Sequence, residues 1–200
     1  MCGCIQVRNI PSMTKLLKGL GLPGLPQKSL ELESVDIRPS MQVTTISQKN
    51  KQPAQSTMTW GIKPNWSKKL IINAQSETAA HKKTFAQAFA TQRCLIPCTG
   101  WYEWRDEGDA KKQKYLFDHP EGESFLMAGL WFKSGFEHGG LNQLVTLTTQ
   151  ADEACARVHG RMPLIVEPKD ISFWLNSNVQ EVQALTTSIA SQKITVKAHS

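Results

Sequence analysis

The 200-residue chain has the length of one ordinary domain, and its 40% hydrophobic and 20% charged residues are typical of a folded globular protein. No apolar run approaches the roughly 20 residues that a membrane-spanning helix needs, and the N-terminus lacks the pattern of a secretory signal. We therefore expect a single domain over residues 1–200, an intracellular location and no association with membranes.

Net charge and cysteine content narrow the classes of partner. The net charge of +6 suits a polyanion, because Lys and Arg side chains that neutralise phosphates release counterions. Charge alone is a weak signal, since many basic proteins never touch nucleic acid. The five cysteines are an odd number, and in a reducing compartment we expect unpaired thiols rather than a disulfide framework.

The first half of the chain alternates predicted strands and helices. Side-chain alternation predicts a strand from Cys2 to Arg8, and leucine spacing predicts a helix from Thr14 to Leu20, followed by a surface loop from Leu22 to Pro26. Further β-rich segments are Ser34 to Ile37, Gln42 to Ser47 and Thr57 to Ile62. A helical segment whose apolar stripe lies in Lys83 to Gln92 follows a predicted turn at Asn73.

The second half is dominated by predicted strands. These are Cys94 to Pro97, Gly100 to Arg105, Lys114 to Asp118, Phe125 to Lys133, Gln143 to Thr148, Leu164 to Val166 and Ile194 to Ala198. Short helices are predicted at Asp152 to Val158, Pro168 to Leu175 and Val179 to Thr187, with a turn at His159 to Pro163. The pattern indicates an α+β fold with a barrel-like antiparallel β core and flanking short helices.

Cys2 is a candidate nucleophile. A small second residue normally permits removal of Met1, which leaves an α-amine and a thiol on one carbon skeleton. Such a 1,2-aminothiol forms a Schiff base with an aldehyde and then closes a thiazolidine ring. Reference pKa values of ~8.5 for the thiol and ~7.7 to 8.0 for the amine leave both partly nucleophilic near neutral pH. The alternative is that Cys2 is simply a small strand residue.

Five ordered sequence blocks carry a resemblance to a known family. They are Met1-Cys-Gly, Trp60-Gly-Ile with Pro64-Asn-Trp66, Ile72-Asn-Ala-Gln-Ser-Glu-Thr78, Arg93-Cys-Leu-Ile-Pro97 with Gly100-Trp-Tyr-Glu-Trp104, and His159-Gly-Arg-Met-Pro163. Together they resemble the SRAP family (SOS-response-associated peptidase). The resemblance implies a single SRAP-like domain that processes abasic sites, forming a covalent crosslink with single-stranded DNA without a cofactor or metal. We expect a monomer.

The resemblance also implies a set of catalytic residues. Cys2 forms the crosslink, and Asn73, Glu103 and His159 surround it. An Asn amide can orient the reactants without titrating. Glu103 lies opposite to its aromatic neighbours on a strand, where partial burial would raise its pKa and suit proton transfer. His159, with a reference pKa of ~6.5, suits opening of the sugar hemiacetal.

Four residues are candidates for DNA binding. The Arg161 side chain is suited to bind a phosphate. Trp66 lies in a Pro-Asn-Trp loop, and an unstacked base could stack on its ring. Met162 and Pro163 are expected to form part of the same DNA-binding surface. The alternative for Trp66 is core packing, although we expect it to be less buried than Trp60 because polar and Pro residues flank it.

Three positions depart from the family pattern. Cys4 and Gln75 stand where the family usually has Arg, so two expected phosphate-binding charges are absent. Asp36 stands where Asn is expected, and its charge would repel phosphate unless Arg38 compensates.

Three rival interpretations remain open. A zinc site could use Cys2, Cys4, Cys94 and Cys98, although their spacing is unusual for structural zinc. A hydrolase could use the N-terminal cysteine as nucleophile, and autocatalytic removal of residues preceding Cys2 would be compatible with crosslinking. A non-catalytic nucleic-acid-binding module would need neither Glu103 nor His159.

Overall fold

The computed structural model describes residues 3–8, 10–24, 35–133, 140–187 and 193–199. Within these ranges no helix has the length and apolar character needed to cross a bilayer. Three sequence predictions fall partly outside the described residues: the start of the first strand at Cys2, the end of the Pro/Gly loop at Leu25 and Pro26, and Ser34.

The described residues form strands and short helices. The strands are β1 Ile5–Val7, β2 Val35–Ile37, β3 Gln42–Lys49, β4 Gln52–Trp60, β5 Asn73–Gln75, β6 Arg93–Cys98, β7 Gly100–Arg105, β8 Gln113–Asp118, β9 Phe125–Phe132, β10 Gln143–Gln150, β11 Arg161–Pro163 and β12 Thr195–His199. The α-helices are α1 Pro11–Gly19, α2 Ser76–Ala79, α3 Ala86–Thr91, α4 Glu153–Ala156, α5 Ile171–Asn176 and α6 Val179–Gln183, with 3₁₀ turns at Pro168–Asp170 and Ala184–Thr187.

Most predicted elements are confirmed, and β4 is longer than predicted. It starts at Gln52 instead of Thr57, because Asn50 and Lys51 both adopt positive φ angles, of 52° and 62°. Two successive left-handed residues make the tight turn that matches strand twist in a hairpin. β3 and β4 therefore pair along their whole length.

Two turn predictions are wrong. Asn73 begins strand β5, which pairs in parallel with β10, so its backbone is extended rather than turning. The predicted turn at His159 to Pro163 contains strand β11, which pairs with β10 in antiparallel fashion. The strand predicted at Leu164 to Val166 is reduced to an isolated bridge between Ile165 and Met127.

A five-stranded sheet holds the first strand in its interior. Its order is β12-β8-β7-β1-β2. In the antiparallel register Ile5 lies opposite Trp101 of β7 on one side and opposite Ile37 of β2 on the other. We call this the small sheet. Because β1 has a partner on each side, the start of the chain is tied into the sheet.

The remaining strands form a larger sheet that curls into a ring. Strands β10, β4, β3, β6 and β9 follow one another, and β9 pairs back to β10. The expected α+β fold with a barrel-like β core is confirmed, although the ring is not a true barrel. β4 meets β10 through only two residue pairs and in parallel, and β5 continues the parallel pairing along the same strand. The other pairings of this sheet are antiparallel, as expected.

Two buried clusters divide the hydrophobic core into layers. One cluster lies between the two sheets and includes Ile5, Trp101 and Phe117 from the small sheet with Trp60 and Met127 from the large sheet. The other lies between the large sheet and the helices, and it draws on α1, α3 and α5. β6 serves both clusters, since successive strand residues point to opposite faces.

Arg93 connects β6 to the C-terminal helices. Its side chain is 6% exposed, and its guanidinium donates to the carbonyl oxygens of Trp174 at 2.6 Å, Phe89 at 2.6 Å and Ser177. A buried polar group is stable only when it is hydrogen-bonded, and here one cation satisfies several carbonyls. Arg93 therefore fixes α3 and α5 against the sheet.

Replacing Arg93 by Met is expected to lower the free energy of unfolding by about 3 kcal/mol, because hydrogen bonds to a charged group are lost and buried carbonyls are left without a partner. Urea unfolding followed by circular dichroism measures this. The control is Arg157→Met, whose side chain is 74% exposed and whose change should stay within about 0.5 kcal/mol. Equal effects of the two variants would contradict the structural role of Arg93.

Candidate active site

Glu103 is a buried carboxyl group on β7. It is 3% exposed and lies on the same strand face as Trp101, directed toward the large sheet, while Tyr102 and Trp104 occupy the other face. Burial raises the pKa of Glu103, and the nearby charge of His159 opposes that rise. The predicted orientation and the predicted direction of the pKa shift are both confirmed, and Glu103 and His159 lie in one site.

His159 follows α4 and precedes β11. Its Nδ1 accepts a hydrogen bond from the Arg161 backbone N–H at 3.0 Å, and Nδ1 also lies 3.0 Å from the Arg161 carbonyl oxygen. When the ring is neutral, Nδ1 accepts and the proton resides on Nε2. When the ring is protonated, Nδ1 can donate to the carbonyl. The backbone of one residue thus supports either protonation state.

Asn73, another predicted catalytic residue, lies at the start of β5 in the large sheet. It lies opposite Thr146 in the parallel pairing of β5 with β10, and its Oδ1 accepts a hydrogen bond from the Thr146 hydroxyl. Thr146 is fully buried. This contact fixes the orientation of the amide, which is what a residue that positions reactants requires.

Arg161 is held by an ion pair that the sequence did not reveal. Its guanidinium binds Glu77 in a bidentate arrangement with both N–O distances at 2.8 Å, and it also donates to the Thr148 carbonyl. The hydrogen bonds from Arg161 lower the pKa of Glu77. A phosphate would have to compete with this carboxylate, so the predicted phosphate contact by Arg161 stays a prediction.

Met162 and Pro163 are buried. Met162 is 1% exposed and packs in the core between the sheets. Pro163 lies opposite Thr148 in the pairing of β11 with β10. Both residues hold β11 against the sheet beside Arg161, and their contribution to a DNA-binding surface stays a prediction.

Trp66 is an exposed aromatic residue. Its side chain is 69% exposed, whereas Trp60 is fully buried and donates its indole N–H to the Ile72 carbonyl at 3.0 Å. The predicted difference between the two tryptophans is confirmed. The loop that carries Trp66 is closed by a bridge between Ile62 and Ile71. Its proposed role in stacking on a base remains a prediction.

A family model described as SOS response associated peptidase (SRAP) matches residues 1–199. The chain belongs to the SRAP family. Curated relatives include abasic site processing protein YedK of Escherichia coli, 29% identical over 74% of this chain and 67% of the relative. Another is abasic site processing protein YoqW of Bacillus subtilis, 29% identical over 72% and 66%. The alignments span about two thirds of each relative.

Solved structures share the SRAP fold of this chain. A protein from Bordetella bronchiseptica superposes with a TM-score of 0.79 at 22% identity and covers 100% of both chains. A phage-related protein from the same organism has a TM-score of 0.77 at 25% identity, with 99% of this chain and 94% of that chain covered. The α+β single-domain architecture is therefore shared with experimentally determined relatives.

The cysteines other than Cys2 are buried thiols. Cys4, Cys94, Cys98 and Cys155 are each at most 1% exposed, and burial raises the pKa of every one of them. A thiol whose pKa is raised is a poor nucleophile at neutral pH. Cys2 itself lies outside the described residues. Among the residues that are described, no group of three metal-binding side chains comes together.

The positions that depart from the SRAP pattern form a local network. The Lys114 ammonium lies 3.5 Å from the Asp36 carboxylate, so Lys114 supplies the compensating charge that was expected from Arg38. Burial raises the pKa of the Cys4 thiol, and the charge of Asp36 raises it further. Gln75 is exposed at the end of β5. Two of the three departures are thus accommodated on the outer face of the small sheet.

The raised pKa of Glu103 predicts a specific pH dependence of stability. Above the ordinary value of 4.5 the folded protein binds more protons at this site than the unfolded chain does. The free energy of unfolding therefore falls as pH rises from about 4.5 through the raised pKa, by at most about 1.4 kcal/mol per pH unit. Replacing Glu103 by Gln should remove this decline.

Urea unfolding of the wild type and of Glu103→Gln between pH 4 and pH 8 provides the test. The wild type should lose stability relative to the variant as pH rises, and the difference should level off once Glu103 is ionised in the folded state. If the difference in unfolding free energy between wild type and variant stays constant across this pH range, burial does not raise the pKa of Glu103.

Proposed function

We propose that this SRAP-family protein forms a covalent thiazolidine crosslink between Cys2 and abasic sites in single-stranded DNA. The names of its curated relatives support DNA containing abasic sites as the substrate. The observation that carries the proposal is the pairing of β1 with β7. The Tyr102 N–H donates to the Cys4 carbonyl at 2.9 Å, and this register, continued by one residue beyond that contact, would bring Gly3 opposite Glu103. Cys2 is bonded directly to Gly3.

The proposed reaction starts once Met1 has been removed by hydrolysis. The α-amine of Cys2 adds to the C1′ aldehyde of the ring-opened sugar and gives a carbinolamine. Loss of one water yields an imine. The Cys2 thiol then adds across the C=N bond, with sulfur bonding to carbon and the proton passing to nitrogen, and the thiazolidine ring closes. No oxidant, metal or cofactor takes part.

Glu103, His159 and Asn73 have chemical properties that suit these steps. A carboxyl group with a raised pKa, such as Glu103, can accept a proton from the α-ammonium and return it to the carbinolamine oxygen as water leaves. His159 can open the sugar ring because the Arg161 backbone supports both of its protonation states. Asn73, oriented by Thr146, can hold the sugar for attack.

A second candidate function is peptide hydrolysis by the same cysteine. The family description as a peptidase favours it, and removal of residues that precede Cys2 would use the same neighbouring groups. The two functions are compatible, because cleavage before Cys2 produces the amine that crosslinking requires. We further propose that the protein acts as a monomer inside the cell, where it would meet damaged DNA.

The first test of crosslinking is intact-mass analysis after incubation with an oligonucleotide that carries one abasic site. Protein without Met1 should gain the mass of the oligonucleotide minus one water, and Cys2→Ala should gain nothing. Cys155→Ala serves as the control, because its thiol is buried and the adduct should form unchanged. Wild-type protein that has lost Met1 and never forms the adduct would contradict the proposal.

The proton-transfer roles predict slower crosslinking when either group is replaced. Glu103→Gln and His159→Asn should each lower the rate of adduct formation by about 10²- to 10⁴-fold, the usual contribution of general acid–base catalysis. Glu153→Gln, an exposed change on α4, is the control and should leave the rate unaltered. If both active-site variants fold and react at the wild-type rate, a non-catalytic DNA-binding module becomes the better description.

A further inference from the structure

A cavity of about 320 Å³ lies on the side of Glu103 away from β1. Its lining residues are Arg105, Tyr115, Ala154, Arg157, Val158 and Val196. The volume is at the lower end of the range for small-ligand pockets, about 300 to 1,000 Å³. We call it the α4 pocket, because α4 and the residues that follow it form one of its walls.

The α4 pocket adjoins the active site through three connections. Arg105 lies on the same face of β7 as Glu103, two residues further along the strand, so their Cα atoms are about 7 Å apart. Tyr115 of β8 lies directly opposite Glu103 in the small sheet. Val158 immediately precedes His159 in the sequence. If one unit of a chain-like ligand is bound at Glu103 and His159, the neighbouring unit can therefore reach the α4 pocket.

Three of the five N–H donors of Arg105 are already engaged. Its Nε donates to Glu107 at 2.6 Å, one terminal nitrogen donates to the Arg157 carbonyl at 2.6 Å, and the other donates to the Tyr115 hydroxyl at 3.0 Å. The Tyr115 hydroxyl in turn donates to Glu107 at 2.5 Å. A phosphate in the pocket would find these donors engaged and a carboxylate nearby.

The planar side chains and the apolar lining of the pocket are suited to bind a planar ring. The Arg105 guanidinium lies over the Tyr115 ring, 5.1 Å from its centroid, and also donates to the Tyr115 hydroxyl, so the two groups are held together. Ala154, Val158 and Val196 supply apolar surface. Aromatic rings and guanidinium planes are the groups on which nucleobases stack. The charge of Arg157, whose side chain is 74% exposed, stands at the rim, where a linking phosphate would pass.

We infer that the α4 pocket binds the nucleobase of the nucleotide next to the abasic site. This inference rests on the proposed function, since it takes the abasic sugar to lie at Glu103 and His159. Binding a neighbouring base outside the stack would hold the strand in place while the sugar reacts. The contribution expected from one stacked base is about 1 to 3 kcal/mol, which is roughly a 5- to 150-fold change in Kd.

The test uses single-stranded oligonucleotides with a tetrahydrofuran residue, which mimics the abasic sugar and cannot crosslink. One probe has a base on both sides of this residue, and two others lack the base on the 5′ or the 3′ side. The wild type should bind one base-deleted probe about 5- to 150-fold more weakly than the complete probe. Equal Kd values for all three probes would overturn the inference.

Ala154→Phe should fill the pocket. This variant is expected to bind the complete probe as weakly as the base-deleted one, so that the discrimination disappears. Ala156→Phe is the matched control, because Ala156 is an exposed residue of the same helix and the variant should discriminate as the wild type does. Discrimination that persists in a folded Ala154→Phe would place the base elsewhere. If Ala154→Phe fails to fold, Ala154→Leu replaces it in the same comparison.

Crosslinking of the same preparations to an abasic-site oligonucleotide separates this inference from the proposed function. If wild-type protein crosslinks but does not distinguish the three probes, the proposed function is supported and the base-binding role of the α4 pocket is rejected. If the protein distinguishes the probes but never crosslinks, the base-binding role of the pocket is supported and the proposed covalent reaction is rejected.

Discussion

The arrangement of the active site depends on the antiparallel pairing of β1 with β7. Because β1 lies between β2 and β7, its backbone groups are satisfied on both sides, and the chain cannot leave the sheet without breaking two rows of hydrogen bonds. The same pairing sets Ile5 opposite Trp101, two residues before Glu103 on β7, and it is the basis for proposing that the start of the chain lies near Glu103. A group at the very start of a chain is normally among its least ordered parts; here the adjoining strand is an interior strand of a sheet.

The proposed site combines residues from two sheets that meet across one core cluster. Glu103 comes from the small sheet. Asn73 and Arg161 both pair with β10 of the large sheet, and His159 lies two residues before Arg161. Burial serves two purposes in this arrangement. It raises the pKa of Glu103, which suits proton transfer, and it also raises the pKa of the other thiols, which leaves them poorly nucleophilic.

Many of the strands, the orientation of Glu103 and the exposure of Trp66 could be predicted from the sequence, but the contacts between distant residues could not. The alternation around Glu103 gave its orientation, and flanking polar residues gave the exposure of Trp66. The Glu77–Arg161 pair joins residues that are 84 positions apart, and no local pattern reports such a contact. Strands β5 and β11 resemble turns because each has three residues, and only their pairing with β10 keeps them extended.

The position of β1 also orders events during synthesis. β1 is made first, yet its partner β7 ends at Arg105, so half of the chain must be translated before the strand can complete its pairing. At about 5 to 20 residues per second, this interval lasts roughly 5 to 20 s. During this interval β1 has no β7 to pair with. The topology thus places completion of the small sheet around β1 in the second half of synthesis.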